Sequence, residues 1–111
     1  MAKEGTSFDK LLNDAIDEVL LSLGESARQA IYFHLEDKYR ITRSEIPKRL
    51  EDFQNGLERI FGETGTTYLE ILMMKKLHEE IGKPLEWNES KGLVFIDYVA
   101  AAKQTYSKIK E

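Results

Sequence analysis

Residues 8–23 read FDKLLNDAIDEVLLSL. Phe8, Leu11, Leu12, Ala15, Ile16, Val19, Leu20 and Leu23 recur at spacings of three and four, with Asp9, Asn13, Asp14, Asp17 and Glu18 between them. At about 3.6 residues per turn, this puts the apolar residues on one stripe and the polar ones opposite, the pattern of a helix lying on a core. Thr6 with Asp9 fits a capping start, and Gly24 supplies a left-handed stop.

The same period continues outward from this helix. Ser26 with Gln29 opens a second helix that runs to about Tyr39. Its inner face holds Ala27, Ala30, Ile31, His34, Leu35 and Lys38, widened by Tyr32 and Phe33. Two starts compete for the third helix. Thr42 with Glu45 makes a capping box, with Ile41 and Ile46 as its hydrophobic staple, but it puts Pro47 at the fifth helical position, where the ring clashes with the preceding turn. Ser44 as cap moves Pro47 into the tolerated first turn. One tight turn and then a helix from about 45 is expected, with Ile46, Leu50, Phe53, Leu57, Ile60 and Phe61 as its stripe and Gly62 as its end.

A fourth helix is expected from Thr67, with Glu70 as box partner, carrying Leu69, Leu72, Met73, Lys76, Leu77 and Ile81 to the Gly82-Lys83-Pro84 stop. A polar loop follows over 84–91, pinned by Leu85 and Trp87. The last segment, 93–109, opens on strand formers (LVFIDYV). It lacks period-two alternation and runs unbroken into Ala100-Ala101-Ala102, so it reads as a helix, with a strand-like start over 93–99 left open. The chain is therefore expected to be all-α, one domain over 1–111, a bundle of four to five antiparallel helices. Leu20, Ile31, Leu35, Phe53, Leu57, Leu72 and Leu77 are its expected common core.

Composition narrows the function classes. At 111 residues there is room for one core and no separate regulatory domain. Sixteen Lys and Arg against twenty Asp and Glu give a net charge of −4, which disfavours a chain that binds nucleic acid or an anionic membrane with its whole surface. There is no cysteine, which removes disulfides, thiol catalysis and cysteine-based zinc sites. No apolar run resembles a signal peptide or approaches the ~20 residues of a membrane span, so a cytoplasmic location is expected.

Motifs for chemistry are sparse. The two histidines, His34 and His78, have neither the second histidine of a His-Glu-x-x-His zinc site nor the paired Glu-x-x-His of a di-iron bundle. They read as one partly buried, hydrogen-bonded residue and one surface residue, with no metal or cofactor bound. Gly62-Glu63-Thr64-Gly65-Thr66-Thr67 imitates a phosphate loop but has threonine where the lysine belongs, and a helix before it instead of a strand. It reads as a helix stop followed by a cap. No nucleophile motif is present, and Asp97, the one carboxylate set among apolar neighbours, is expected to face solvent or carry a raised pKa.

Residues 38–49 concentrate positive charge. Lys38, Arg40, Arg43, Lys48 and Arg49 stand against Glu45 alone, with Tyr39 among them. This is a candidate patch for an acidic protein partner. Residues 41–61 can also be read as a helix-turn-helix, but its second helix exposes Glu51, Asp52 and Glu58, which is costly against phosphates. In the last helix Leu93, Val94, Phe95, Ile96, Tyr98, Val99 and Ile109 spread around more of the circumference than one core needs. Phe95, Tyr98, Val99 and Ile109 are thus candidate contacts of a homodimer; burial of the whole helix within one chain is the competing arrangement.

From Leu23-Gly24-Glu25-Ser26 through Leu35-Glu36, again in Ile41 to Pro47 (ITRSEIP), and in Phe61 to Leu77 (FGETGTTYLEILMMKKL), the chain resembles the small archaeal output domain of the NitrOD type. The likeness covers about residues 8–82, leaving the loop and helix of 83–111 less characteristic. That family is helical and is found alone or attached to archaeal signal-transduction proteins. The resemblance implies a non-enzymatic output or adaptor role with a protein partner and supplies no catalytic residues. The alternative is a small DNA-binding regulator using 41–61.

Overall fold

A computed structural model describes residues 7–81 and 95–110. Among them every regular element is helical. Helix α1 spans Phe8–Leu21 and is capped by Ser7, whose Oγ accepts the Lys10 N–H at 3.2 Å. The cap expected at Thr6 lies outside the described residues. Phe8, Leu12, Ala15, Ile16, Val19 and Leu20 are buried along the predicted stripe, whereas Leu23 lies beyond the helix end and is exposed.

Helix α2, Glu25–Tyr39, begins one residue before the expected cap. Gly24, at φ 114°, turns the chain, and no side chain caps the helix. Gln29 donates to Glu25 at 3.0 Å, so the capping box expected at Ser26 does not form. Only Ile31 and Leu35 of α2 are buried. Arg40 ends it in the left-handed region at φ 54°, a conformation uncommon outside glycine.

The expected helix from about 45 is a correction: a 3-10 helix occupies Arg43–Lys48, and α3 starts at Leu50. The Thr42–Glu45 capping box forms, with Thr42 N–H donating to Glu45 Oε1 at 2.9 Å. Ile41 and Ile46 are both buried beside it. The short 3-10 helix accommodates Pro47, because it runs for only about two turns and the ring meets no long preceding helix.

Helix α3 spans Leu50–Ile81 and is broken at Gly62, whose φ of 77° and ψ of 174° lie in a region essentially reserved for glycine. The predicted stop at Gly62 is thus correct, but Thr67 does not start the next helix. The helical path resumes directly after Gly62, and Thr66 is buried inside it. Gln54 Nε2 donates to Glu70 Oε2 at 2.6 Å. Each lies eight residues from Gly62, about 12 Å along its leg, so the two legs fold back sharply upon each other.

The core gathers Phe53, Leu57, Leu69, Met73, Met74 and Leu77 of α3 against α1, with Ile31 and Leu35 of α2. Of the expected common core only Leu72 is half-buried at the margin. Gly56 is buried where α2 crosses α3, and a Cβ there would run into Leu35 Cδ2. Helix α4, Phe95–Lys110, resolves the open reading in favour of a helix from Phe95, while residues 93 and 94 lie outside the described residues. It packs on α3, and its Tyr106 ring lies 6.1 Å from that of Phe8 on α1. The loop of 84–91, with Leu85 and Trp87, lies outside the described residues.

Candidate functional site

The basic stretch 38–49 does not form one free patch. Arg43 leaves it for α1: its guanidinium pairs with Asp17 at 3.2 Å and sits 5.3 Å from the centre of the Tyr32 ring. The same Asp17 oxygen accepts from Arg28 at 2.7 Å and from the Tyr32 hydroxyl at 2.9 Å. One carboxylate therefore ties α1 to α2 and to the 3-10 helix. Burial pushes this carboxyl up, but the hydrogen bonds from Arg28 and Tyr32 and the two arginine charges outweigh it and hold its pKa below the usual value. Burial, followed by the bond to Asp17, drives the Tyr32 phenol well above its ordinary range.

Arg49 is equally committed. It donates to the carbonyls of Arg40 at 2.6 Å and Tyr39 at 2.8 Å, and to Asp52 at 2.9 and 3.0 Å. Those carbonyls belong to the end of α2, where unpaired acceptors collect and a cation is stabilising. Arg49 thus closes α2 and fixes the first turn of α3. Tyr39 is half-buried, and its hydroxyl reaches the Asn55 carbonyl at 3.5 Å. Lys38, Arg40 and Lys48 keep exposed side chains, Lys38 with Asp37 at 3.9 Å. Lys48 and Arg49 line a surface cavity of about 480 Å³ with Pro47, Leu50, Asp52 and Ile96 of α4.

Phe33, assigned by the sequence reading to the inner face of α2, is 70% exposed. The signal was available: it lies two residues from both Ile31 and Leu35, about 200° away around a helix. Phe33, Glu36, Asp37 and Arg40 line a depression of about 250 Å³ on the outside of α2. A second exposed aromatic, Tyr68 at 62%, lies in another depression of about 350 Å³ with Glu63, Thr64, Thr67 and Ile71.

The other candidates take ordinary places. His34 is half-buried with its ring 6.1 Å from that of Tyr39, but its Nε2 has no hydrogen-bond partner. His78, expected at the surface, is also half-buried, and its Nδ1 lacks a partner. Among the described residues no group of three His, Asp or Glu is placed to hold a metal, and no helix is long and apolar enough to cross a membrane. Asp97 is exposed, the solvent-facing one of the two settings left open for it. The buried carboxylate is instead Glu70, pushed up by desolvation and by the nearby Glu58 charge against the opposing Gln54 bond.

The homodimer contact is corrected at three positions. Phe95, Tyr98 and Val99 are buried within the chain's own core, the competing arrangement, and present no surface to a second copy. Burial raises the Tyr98 phenol to about 12, and its hydroxyl lies 3.5 Å from the Met74 carbonyl. The Ile109 side chain lies outside the described residues. Compared with protein-family profiles, curated proteins and solved structures, the chain matches none.

Proposed function

We propose that this chain is a non-catalytic protein-interaction module acting in the cytoplasm, in the role of an output or adaptor domain of archaeal signal transduction. The observation that carries the reading is Phe33, a large aromatic ring that the fold leaves in solvent on the outer face of α2. Aromatic side chains, phenylalanine among them, and arginine are enriched at protein interfaces relative to the rest of the surface. Arg40 shares the depression with Phe33, Glu36 and Asp37, and with Lys38, which lies 3.9 Å from Asp37, and Lys48 it forms the exposed remainder of the basic stretch. An acid-bearing protein surface is the complement of these three cations. Arg43 and Arg49, which a DNA-binding segment over 41–61 would have to lend to phosphates, already serve Asp17, Asp52 and the end of α2.

A photo-crosslinker placed at the neighbouring exposed Ala30 tests this. In host lysate it should give one discrete adduct, which disappears in Phe33→Ala and weakens in Arg40→Ala. Phe33→Ala should leave thermal stability within about 0.5 kcal/mol, because the ring contacts solvent. An adduct pattern untouched by Phe33→Ala would refute the assignment. A shift of duplex DNA that collapses steeply with salt would favour the DNA-binding alternative instead.

A further inference from the structure

The turn inside α3 is made by one residue. Helix precedes Gly62 and resumes directly after it, and Gly62 alone takes non-helical angles, at φ 77° and ψ 174°. Glycine also enters the ordinary helical region without steric hindrance. If Gly62 does so, residues 50–81 become one straight helix of about 48 Å. The leg from 63 to 81 then leaves its own α1 and carries α4 with it.

The contacts it abandons are all available on a second copy. Lys76 meets Glu18 of α1 at 3.2 Å, and Glu70 receives the Gln54 hydrogen bond at 2.6 Å. Both ties join the part of the chain before Gly62 to the part after it. Two straightened chains can make each of them reciprocally, so the exchanged dimer differs from the folded-back monomer mainly at the hinge and where the straight helices cross.

The crossing surface is also on the monomer. Ile60 is 38% exposed and Tyr68 62% exposed on either side of Gly62, with Phe61 and Ile71 half-buried. Thr64, Tyr68 and Ile71 line the depression of about 350 Å³ beside the bend. In the folded-back form these residues flank the turn on two separate legs. On one straight helix Ile60, Thr64, Tyr68 and Ile71 follow one another at three- and four-residue spacing, with Phe61 at the edge of the same stripe, about 100° wide. A two-fold antiparallel crossing centred near residues 65–66, one turn past the hinge, lays this stripe against its copy.

We propose that Gly62 is a hinge through which two copies of this chain exchange residues 63–81 together with α4, and that the apolar surface around the bend is the contact made on exchange. This dimer is independent of the Phe33 surface. It uses no outward face of α4.

Gly62→Ala tests the hinge. Alanine is strained at the observed angles and favoured in a straight helix, so the substitution should raise the dimer association constant at least ~100-fold. Light scattering at ~100 µM should then read twice the 12.8 kDa chain mass. Exchange is separated from simple surface pairing by Gln54→Cys with Glu70→Cys in the same chain, which has no native cysteine. A short bis-maleimide should then link two chains, giving a doubled band on a denaturing gel. A folded, monomeric Gly62→Ala variant overturns the proposal, and so does a dimer whose links all lie within one chain. If Gly62→Ala fails to fold, the cysteine pair with Gly62 intact decides after refolding at ~1 mM, well above ordinary micromolar affinities. Doubled bands there support exchange, and links confined to single chains overturn it.

Discussion

Gly56→Ala sets two effects of opposite sign against each other at the crossing of α2 and α3. In a helix interior alanine is favoured over glycine by about 1 kcal/mol. The added methyl, however, would stand inside the contact radius of Leu35 Cδ2, and the Tyr39 ring lies 3.4 Å away. Leu35 is only 1% exposed, so it can retreat only by displacing its neighbours. Overpacking of this kind costs about 1–3 kcal/mol. The clash cancels or outweighs the propensity gain, and a net loss of up to about 2 kcal/mol is expected, read as a melting temperature lower by up to roughly 10 °C. Leu35→Val removes the offending Cδ2, so on that background Gly56→Ala should become neutral or stabilising by up to about 1 kcal/mol. Urea unfolding of the four proteins gives the coupling directly. Additivity within about 0.4 kcal/mol would show that the methyl does not meet Leu35, and the packing of α2 on α3 described above would be wrong.

Two further predictions concern carboxylates. Asp17 has a lowered pKa in the folded chain, so its contribution is complete above its unfolded value of about 3.9 and disappears as pH falls through the depressed folded value. Asp17→Asn should therefore be less stable at pH 7 and lose stability less steeply than the parent between pH 5 and 2, and parallel unfolding profiles would contradict the three-donor arrangement. Glu70 has the opposite sign: its folded pKa is raised by desolvation, so the native state holds its proton longer and stability falls as pH rises from the unfolded value through the folded one. Glu70→Gln keeps an acceptor for Gln54, and it should be the more stable protein at pH 8 with no such fall; equal profiles would place Glu70 in solvent.

The helical period was legible wherever a helix has one buried side. The stripe of α1 and the stop at Gly62 follow from residue spacing and from the backbone freedom of glycine. Starts were harder. Ser26 and Thr67 both satisfy a capping pattern, yet each lies inside a helix, because a cap is optional once tertiary contacts hold the first turn. At Thr67 the bend brings Thr66 into the core, and packing draws helix out of a Gly-Thr-Thr run that propensity disfavours. The basic stretch misled for a different reason. Charge counted along the chain cannot show that Arg43 meets an aspartate 26 residues earlier, or that Arg49 serves the carbonyls of Tyr39 and Arg40. The apolar girth of α4 demands cover, and for Phe95, Tyr98 and Val99 that cover is the chain itself.

The attachment of α2 sets where this molecule yields first. Fifteen residues of helix bury only two side chains, Ile31 and Leu35, with Tyr32 and Tyr39 half-buried at the margin of the core, and the rest of the attachment is polar: Arg28 and Tyr32 on Asp17, and Arg49 on its last carbonyls. Helices so anchored open at a fraction of the global unfolding free energy, as separate cooperative units. Amide protons of α2 should accordingly exchange faster than those of α1 or of the second leg of α3, which bury more apolar side chains, six and four against two. The ring of Phe33 therefore rides on the layer that detaches most readily, and anything that grips it will be felt as a slowing of α2 exchange before it is felt anywhere in the core.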